Sequence, residues 1–242
     1  MKKGLLWMIL LGLASFVYGQ SVYDSVRIQG FIPVCHTDAQ NWVQRYQEDI
    51  DHYNAENKSL KDRTCDVLFL GSSSINLWNN IYNDLAPLKI IRRSYGGSTI
   101  RDNIYNYNTI ARGYKPKKIA IYIENDLGNG KESVSPGETY DLFRLFVQML
   151  QRDYPQVPIY IISFKPSFAK QDQLPDQLVV NKLLEDFAKR IPFVEYIDIT
   201  KTMYDDKGKL REDIFRQDKL HMNQKGYDLW IKVLKPILLS GL

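Results

Sequence analysis

The 242-residue chain contains three histidines, His36, His52 and His221. His221 has a carboxylate three residues before it, Asp218, in the run Asp218-Lys219-Leu220-His221; Asp49 stands at the same spacing before His52, within a run of helical periodicity. In a loop or turn, that spacing can bring an aspartate oxygen to imidazole Nδ1. The carboxylate would then fix the tautomer and stabilise the imidazolium, leaving Nε2 to take a proton from a serine. The bland alternative is a surface histidine with an accidental neighbour. Serines with the right setting stand in Gly71-Ser72-Ser73-Ser74, directly after the apolar run DVLFL. A serine at a strand-to-helix turn sits among free backbone N–H groups and at the positive end of a helix dipole, both of which favour developing negative charge. An ordinary helix N-cap would look the same. Two further segments carry polar or glycine-rich residues after apolar runs. Tyr95-Gly96-Gly97-Ser98-Thr99 follows LKIIRRS, and glycine lets a backbone N–H approach a ligand closely. Glu124-Asn125-Asp126 follows KKIAIYI, and an asparagine amide can donate to an oxyanion. Taken singly, the first of these reads better as a plain turn, and the second reads equally well as a satisfied loop residue.

Five short apolar runs supply candidate strands to hold these segments: 66–71, 88–94, 117–123, 157–163 and 193–199. Helical periodicity appears between several of them. Trp42, Tyr46, Ile50 and Tyr53 mark a helix over about 39–54, with His52 solvated or at its rim. Leu142, Leu145, Phe146, Met149 and Leu150 mark 138–152. Val180, Leu183, Leu184, Phe187 and Ala188 mark 176–190. Tyr227, Trp230, Ile231 and Leu234 mark a last helix from about Gln224, which Pro236 should end or kink. Short apolar strands alternating with helices predict an α/β fold: a three-layer α/β/α sandwich around a central, mostly parallel five-stranded sheet. Ligand-handling residues in such sheets gather at strand C-terminal ends. No repeat, linker or second composition zone breaks the chain, so one domain is expected over 20–242, with an N-terminal helical extension over about 20–60.

Hydrophobic residues make up 44% of the chain and charged residues 25%, with only two cysteines, which excludes a disordered chain, a disulfide-dense miniprotein and a polytopic membrane protein. Lys2 and Lys3 precede an apolar run from about Leu5 to Val17, with small residues after it, the layout of a secretory signal over 1–19. The run is shorter than the roughly 20 residues a membrane-spanning helix needs, so a cleaved signal is expected rather than an anchor. Removing the two lysines leaves 30 basic against 28 acidic residues, a net charge of +2. With no basic run interleaved with aromatics, nucleic acid is not an expected partner. Cys35 and Cys65 could close one disulfide in an exported chain, or stand as two independent thiols. Cys35 and His36 lack a second Cys/His pair at ligand spacing, so no metal site is expected.

The ordered set GSSS, GGST, END and DKLH resembles the SGNH (GDSL-type) hydrolase superfamily. DVLFLGSSSINLW resembles its first block, RRSYGGSTI its second, AIYIENDLG its third and DKLHMNQKGYDLW its last, over roughly residues 60–235. The nearest likeness is to the platelet-activating-factor-acetylhydrolase-like branch of exported bacterial proteins, in which a segment like IISFKPS (161–167) also occurs. The resemblance implies an SGNH/flavodoxin-like sheet, Ser73 as nucleophile, His221 as general base and Asp218 as its orienting acid. It also implies an oxyanion hole made by the Ser73 N–H, the Gly97 N–H and the Asn125 side chain, with no metal or organic cofactor. Ser72 stands where the family usually has Asp. Ile123 stands where it usually has Gly, which puts the shape of the acyl pocket in question. The expected activity is a periplasmic or extracellular serine esterase acting on short acyl esters, acetyl above all, with a small molecule or glycan as substrate. An inactive glycan-binding module and an O-acyltransferase using the same triad are the alternatives; oligomeric state is left open.

Overall fold

The chain is described by a computed structural model over residues 45–128 and 133–241. The expected signal segment, Cys35, His36 and Trp42 lie outside the described residues. From Glu48 onward the chain forms one compact unit. Five strands build it: β1 (Thr64–Gly71), β2 (Ile90–Ser94), β3 (Lys115–Tyr122), β4 (Ile159–Ile162) and β5 (Val194–Ile197). They lie in the order β2-β1-β3-β4-β5, and all four pairings are parallel. Every strand falls within one of the five apolar runs or overlaps it by most of its length. The boundaries move by a few residues because backbone pairing, rather than hydropathy, ends a strand. Thr64 pairs with Lys115 at the polar entry to β1 and β3, for instance.

Eight helices accompany the sheet among the described residues: α1 (Gln47–Ser59), α2 (Ser73–Asn76), α3 (Ile81–Asp84), α4 (Ile100–Tyr105), α5 (Tyr107–Ile110), α6 (Pro136–Asp153), α7 (Leu174–Ala188) and α8 (Gln224–Leu239). Two short 3-10 segments, Phe168–Gln173 and Thr200–Met203, complete the connections. Alternate strand residues serve opposite faces. Val67, Phe69, Ala120, Tyr122, Tyr160 and Ile162 pack with Trp78 and with Tyr227, Trp230 and Leu234 of α8. Here Trp78 stacks on Tyr227 with ring centroids 5.0 Å apart, and Tyr122 lies 4.8 Å from Trp230. The intervening residues Leu68, Leu70, Ile119, Ile121, Ile159 and Ile161 are fully buried on the other face. Helices thus cover both faces of the sheet.

Helix ends explain where the sequence pattern was followed and where it was overridden. Ser135 accepts from the Glu138 N–H while Glu138 accepts from the Ser135 N–H, a reciprocal cap that starts α6 with Pro136 in its first turn. Helix α8 continues three residues past Pro236 instead of ending there. Lys118 of β3 donates to the carbonyls of Ile237, Leu238 and Ser240, and Leu238 is fully buried, so tertiary contacts hold the last turn. Helix α1 runs to Ser59 rather than Asn54. Its buried face is Ile50, Tyr53 and Asn57, and the polar Asn57 is invisible to a search for apolar periodicity.

Candidate active site

In a parallel sheet of this order the strand sequence reverses between β1 and β3, and ligands bind beyond the strand C-terminal ends there. The first, second and third candidate segments all emerge at that edge. Gly71 ends β1, and a Cβ there would sit 2.5 Å from Ile75 Cγ1 and 3.0 Å from the Tyr122 carbonyl oxygen, so only glycine permits the sharp turn into α2. Ser72 is fully buried and Ser74 is 1% exposed, whereas Ser73 reaches the surface. Among three consecutive serines, the fold therefore presents one hydroxyl. Helix α2 has a single turn, so the positive field expected at Ser73 comes from the free first-turn N–H groups and not from a long dipole.

After β2, the Ser98 N–H donates to the Tyr95 carbonyl and Gly97 has φ 77°, the left-handed geometry that a turn of this kind needs at its third residue. Gly96 and Gly97 are both exposed. Thr99 and Asp102 cap α4 reciprocally. After β3, Asn125 is half-buried, its Nδ2 donates to the Ser98 carbonyl at 3.1 Å, and its Oδ1 accepts from Lys170 Nζ at 3.2 Å. The next residue, Asp126, is fully buried and accepts from the Ile100 N–H at 2.8 Å, tying the third segment to the helix that follows the second. Burial pushes the Asp126 carboxyl up to about 6, against the opposing pull of that hydrogen bond and of Arg101. Ile123 is fully buried rather than presented at the surface.

The histidine arrives on the loop before α8. His221 Nδ1 lies 2.7 Å from Asp218 Oδ2, while Asp218 Oδ1 accepts from the backbone N–H groups of Leu220 and His221. Lys219 takes φ 56° to close this turn. Burial raises the Asp218 carboxyl, but hydrogen bonds from the His221 ring and the two N–H groups outweigh it and bring the group down to about 2. Asp218 is therefore a carboxylate throughout the working range of a histidine base.

Sequence reasoning missed the residue that joins the two halves. The Arg216 N–H donates to the His221 carbonyl, its Nε to the Met222 carbonyl and its Nη2 to the Leu77 carbonyl just after α2. Tyr227 of α8 adds a bond from its hydroxyl to the Ser74 carbonyl. The first contact seats the His221 loop, and the second α8, against the helix that carries Ser73. Arginine in an exposed loop gives no periodic signal, so only the fold reveals it. The buried pair Glu124 and Lys165, with Nζ and Oε1 2.7 Å apart, was equally unmarked beyond the likeness of its surrounding segments. Two of the clefts among the described residues lie beside the sheet. One of about 650 Å³ lies between α7 and β5 and holds none of the candidate residues. The other, about 460 Å³, is lined by Asp49, His52, Tyr82, Asn76 and Arg92 beside α2 and includes the exposed His52. No group of three or more potential metal ligands occurs among the described residues. Nor is any helix among them long and apolar enough to cross a membrane.

No family model and no curated protein matches the sequence. Solved structures do. A proposed platelet activating factor from Streptococcus pneumonia superposes with a TM-score of 0.71 at 23% identity, over 84% of this chain and 97% of its own. The fold is the same. A GDSL-like lipase from Bacteroides thetaiotaomicron gives 0.64 at 17% identity, over 80% and 98%. A variant of an acetyl-xylooligosaccharide esterase from Geobacillus Stearmophilus gives 0.59 at 14%, over 73% and 94%. The α/β/α architecture expected from the sequence is thus shared across nearly the full length of these chains.

Proposed function

We propose that this chain is a serine ester hydrolase of the SGNH type, cleaving short acyl esters through Ser73, His221 and Asp218. The observation that carries the reading is the Asp218–His221 pair at 2.7 Å on a loop that Arg216 bonds to the Ser73 helix. In this mechanism Asp218 holds the Nδ1 proton, and His221 Nε2 removes the Ser73 proton as Oγ attacks the ester carbonyl. The tetrahedral oxyanion is met by the N–H groups of Ser73 and Gly97 and by Asn125 Nδ2, which has a second proton beyond the one given to Ser98. His221 then protonates the leaving alcohol, and water attacks the acyl-enzyme by the same route.

Acetyl is the proposed acyl group and a carbohydrate the proposed alcohol, a choice supported by the acetyl-xylooligosaccharide esterase that shares the fold. Placement in the platelet-activating-factor-acetylhydrolase-like branch rests on the IISFKPS segment and on the fold shared with the streptococcal protein. Export under the 1–19 signal would put the enzyme outside the cytoplasm, where acylated glycans are met. Hydrolysis of p-nitrophenyl acetate and of O-acetylated oligosaccharides tests the activity. Ser73→Ala is expected to abolish turnover, and Ser72→Ala, at a buried position, to leave the reaction chemistry in place. Undiminished hydrolysis by Ser73→Ala would reject the nucleophile.

A further inference from the structure

Beside the proposed oxyanion site lies a buried charge cluster that the triad mechanism does not use. Glu124 and Lys165 are 2% and 0% exposed at their side chains and form an ion pair, and the Tyr122 hydroxyl donates to the other Glu124 oxygen. Burying two charges is costly unless something is gained by fixing them. Lys170 completes the cluster, with its ammonium on the amide oxygen of Asn125. Lys170 sits at the kink of the Phe168–Gln173 segment, where φ −122° and ψ 33° interrupt the helical turns and re-aim its side chain. The segment is anchored on both sides of the site. The Ala169 N–H donates to the Lys219 carbonyl in the His221 loop, and Gln173 Nε2 to the Gly128 carbonyl beyond Asn125.

We propose that Lys170 is a positioning residue for the oxyanion donor, acting through Asn125 and carried on a segment anchored at Ala169 and Gln173. The proposal rests on the serine-esterase reading of the same site. The chemistry is that of an amide that has two ends. An asparagine side chain can rotate to exchange its oxygen and nitrogen with little change of shape. An ammonium carries only donors, so the end that meets Lys170 must be the oxygen. That leaves the NH₂ group facing Ser98, with one proton on the Ser98 carbonyl and the other available to the oxyanion. The positive charge also draws electron density from the amide, making Nδ2 a stronger donor. Glu124 keeps this arrangement charged. Burial raises its carboxyl, yet Lys165 and Lys170 together hold it below the ordinary glutamate value. Burial pushes Lys170 down, and Glu124 opposes that shift.

The test is a double-mutant cycle on the full-length protein with p-nitrophenyl acetate. Lys170→Met should lower kcat by about tenfold or more, the effect of losing a hydrogen bond to a charged group, with KM nearly unchanged. Lys170→Arg, which keeps a donor-only cation, should restore most of the loss. In an Asn125→Ala background, Lys170→Met should have almost no further effect. Equal losses in both backgrounds, or full activity in Lys170→Met, would overturn the proposal. A second readout does not depend on turnover. Exchange of the Asn125 side-chain amide protons, followed by NMR on isotope-labelled protein, should be faster in Lys170→Met than in the parent. Unchanged exchange would overturn the clamp itself, whereas absence of ester hydrolysis by the parent would strike only at the enzyme reading.

Discussion

A histidine base, the role proposed for His221, depends on which of its nitrogens carries the proton, and the backbone turn here places a carboxylate against Nδ1. The turn at Lys219 folds Asp218 back so that one carboxylate oxygen collects two N–H groups and the other meets the His221 ring. Because these bonds bring Asp218 to about 2, its ionisation lies far below the pH range in which an imidazole changes charge. Any acid limb of activity near neutrality must therefore come from another group. Asp218→Asn should preserve the turn in outline but present an amide that can hold the wrong tautomer, lowering kcat by about 10²–10⁴. Steady-state kinetics from pH 5 to 9 would check this; an Asp218→Asn enzyme within twofold of the parent would show that His221 is oriented by something else. The spacing of these two residues was readable from the sequence alone. Lys170 and Arg216 were not, because each works by reaching across chain segments far apart in order, and single polar residues in loops carry no period.

At the scale of elements, the segments proposed to carry the oxyanion donors are held by two devices. Helix α1 seals the edge strand β2 at its last residue. The Tyr53 hydroxyl donates to the Ser94 carbonyl at 2.5 Å and accepts from the Ser94 N–H at 3.1 Å, taking the place of a neighbouring strand immediately before the Gly96–Gly97 turn. Arg93 reinforces the contact from within, buried between the Tyr53 and Tyr114 rings and paired with Glu56. Tyr53→Phe leaves two buried backbone groups without a partner and should cost about 1–3 kcal/mol in urea denaturation; no loss would mean that the helix docks by its apolar face alone. Asp126 is the second device. Its folded value of about 6 lies above the ordinary aspartate value of 3.8, so between those pH values the folded state binds more proton than the unfolded one. Stability contributed by this group is complete below the lower value and lost as pH rises through the upper one. Asp126→Asn should flatten the fall in unfolding free energy between about pH 4 and 6, a difference of order 2–3 kcal/mol at most. Parallel pH–stability curves for the two proteins would assign the slope to other groups.

For the whole molecule, five apolar runs sufficed to give the sheet because parallel strands buried on both faces must be apolar throughout, as Leu68, Phe69 and Leu70 illustrate. The long helices α6, α7 and α8 were legible from apolar residues recurring over four or five turns, although α6 buries Phe143, Phe146, Val147 and Leu150 and leaves the expected Leu145 exposed. Helices α2 to α5 were not, since four to six residues are too few to display a period. Their placement is what makes Ser73 accessible and leaves Ser72 and Ser74 buried. Cys65 is a free buried thiol whose value burial pushes up to about 11, so it is a poor nucleophile at neutral pH and offers no rival to the serine. The proposed chemistry therefore depends on one hydroxyl. Intact-mass analysis and peptide mapping after treatment with a fluorophosphonate test it most directly. The parent protein should gain one phosphonyl group, mapped to Ser73, and Ser73→Ala should gain none. Equal labelling of Ser73→Ala, or a folded parent that takes no label at all, would contradict it.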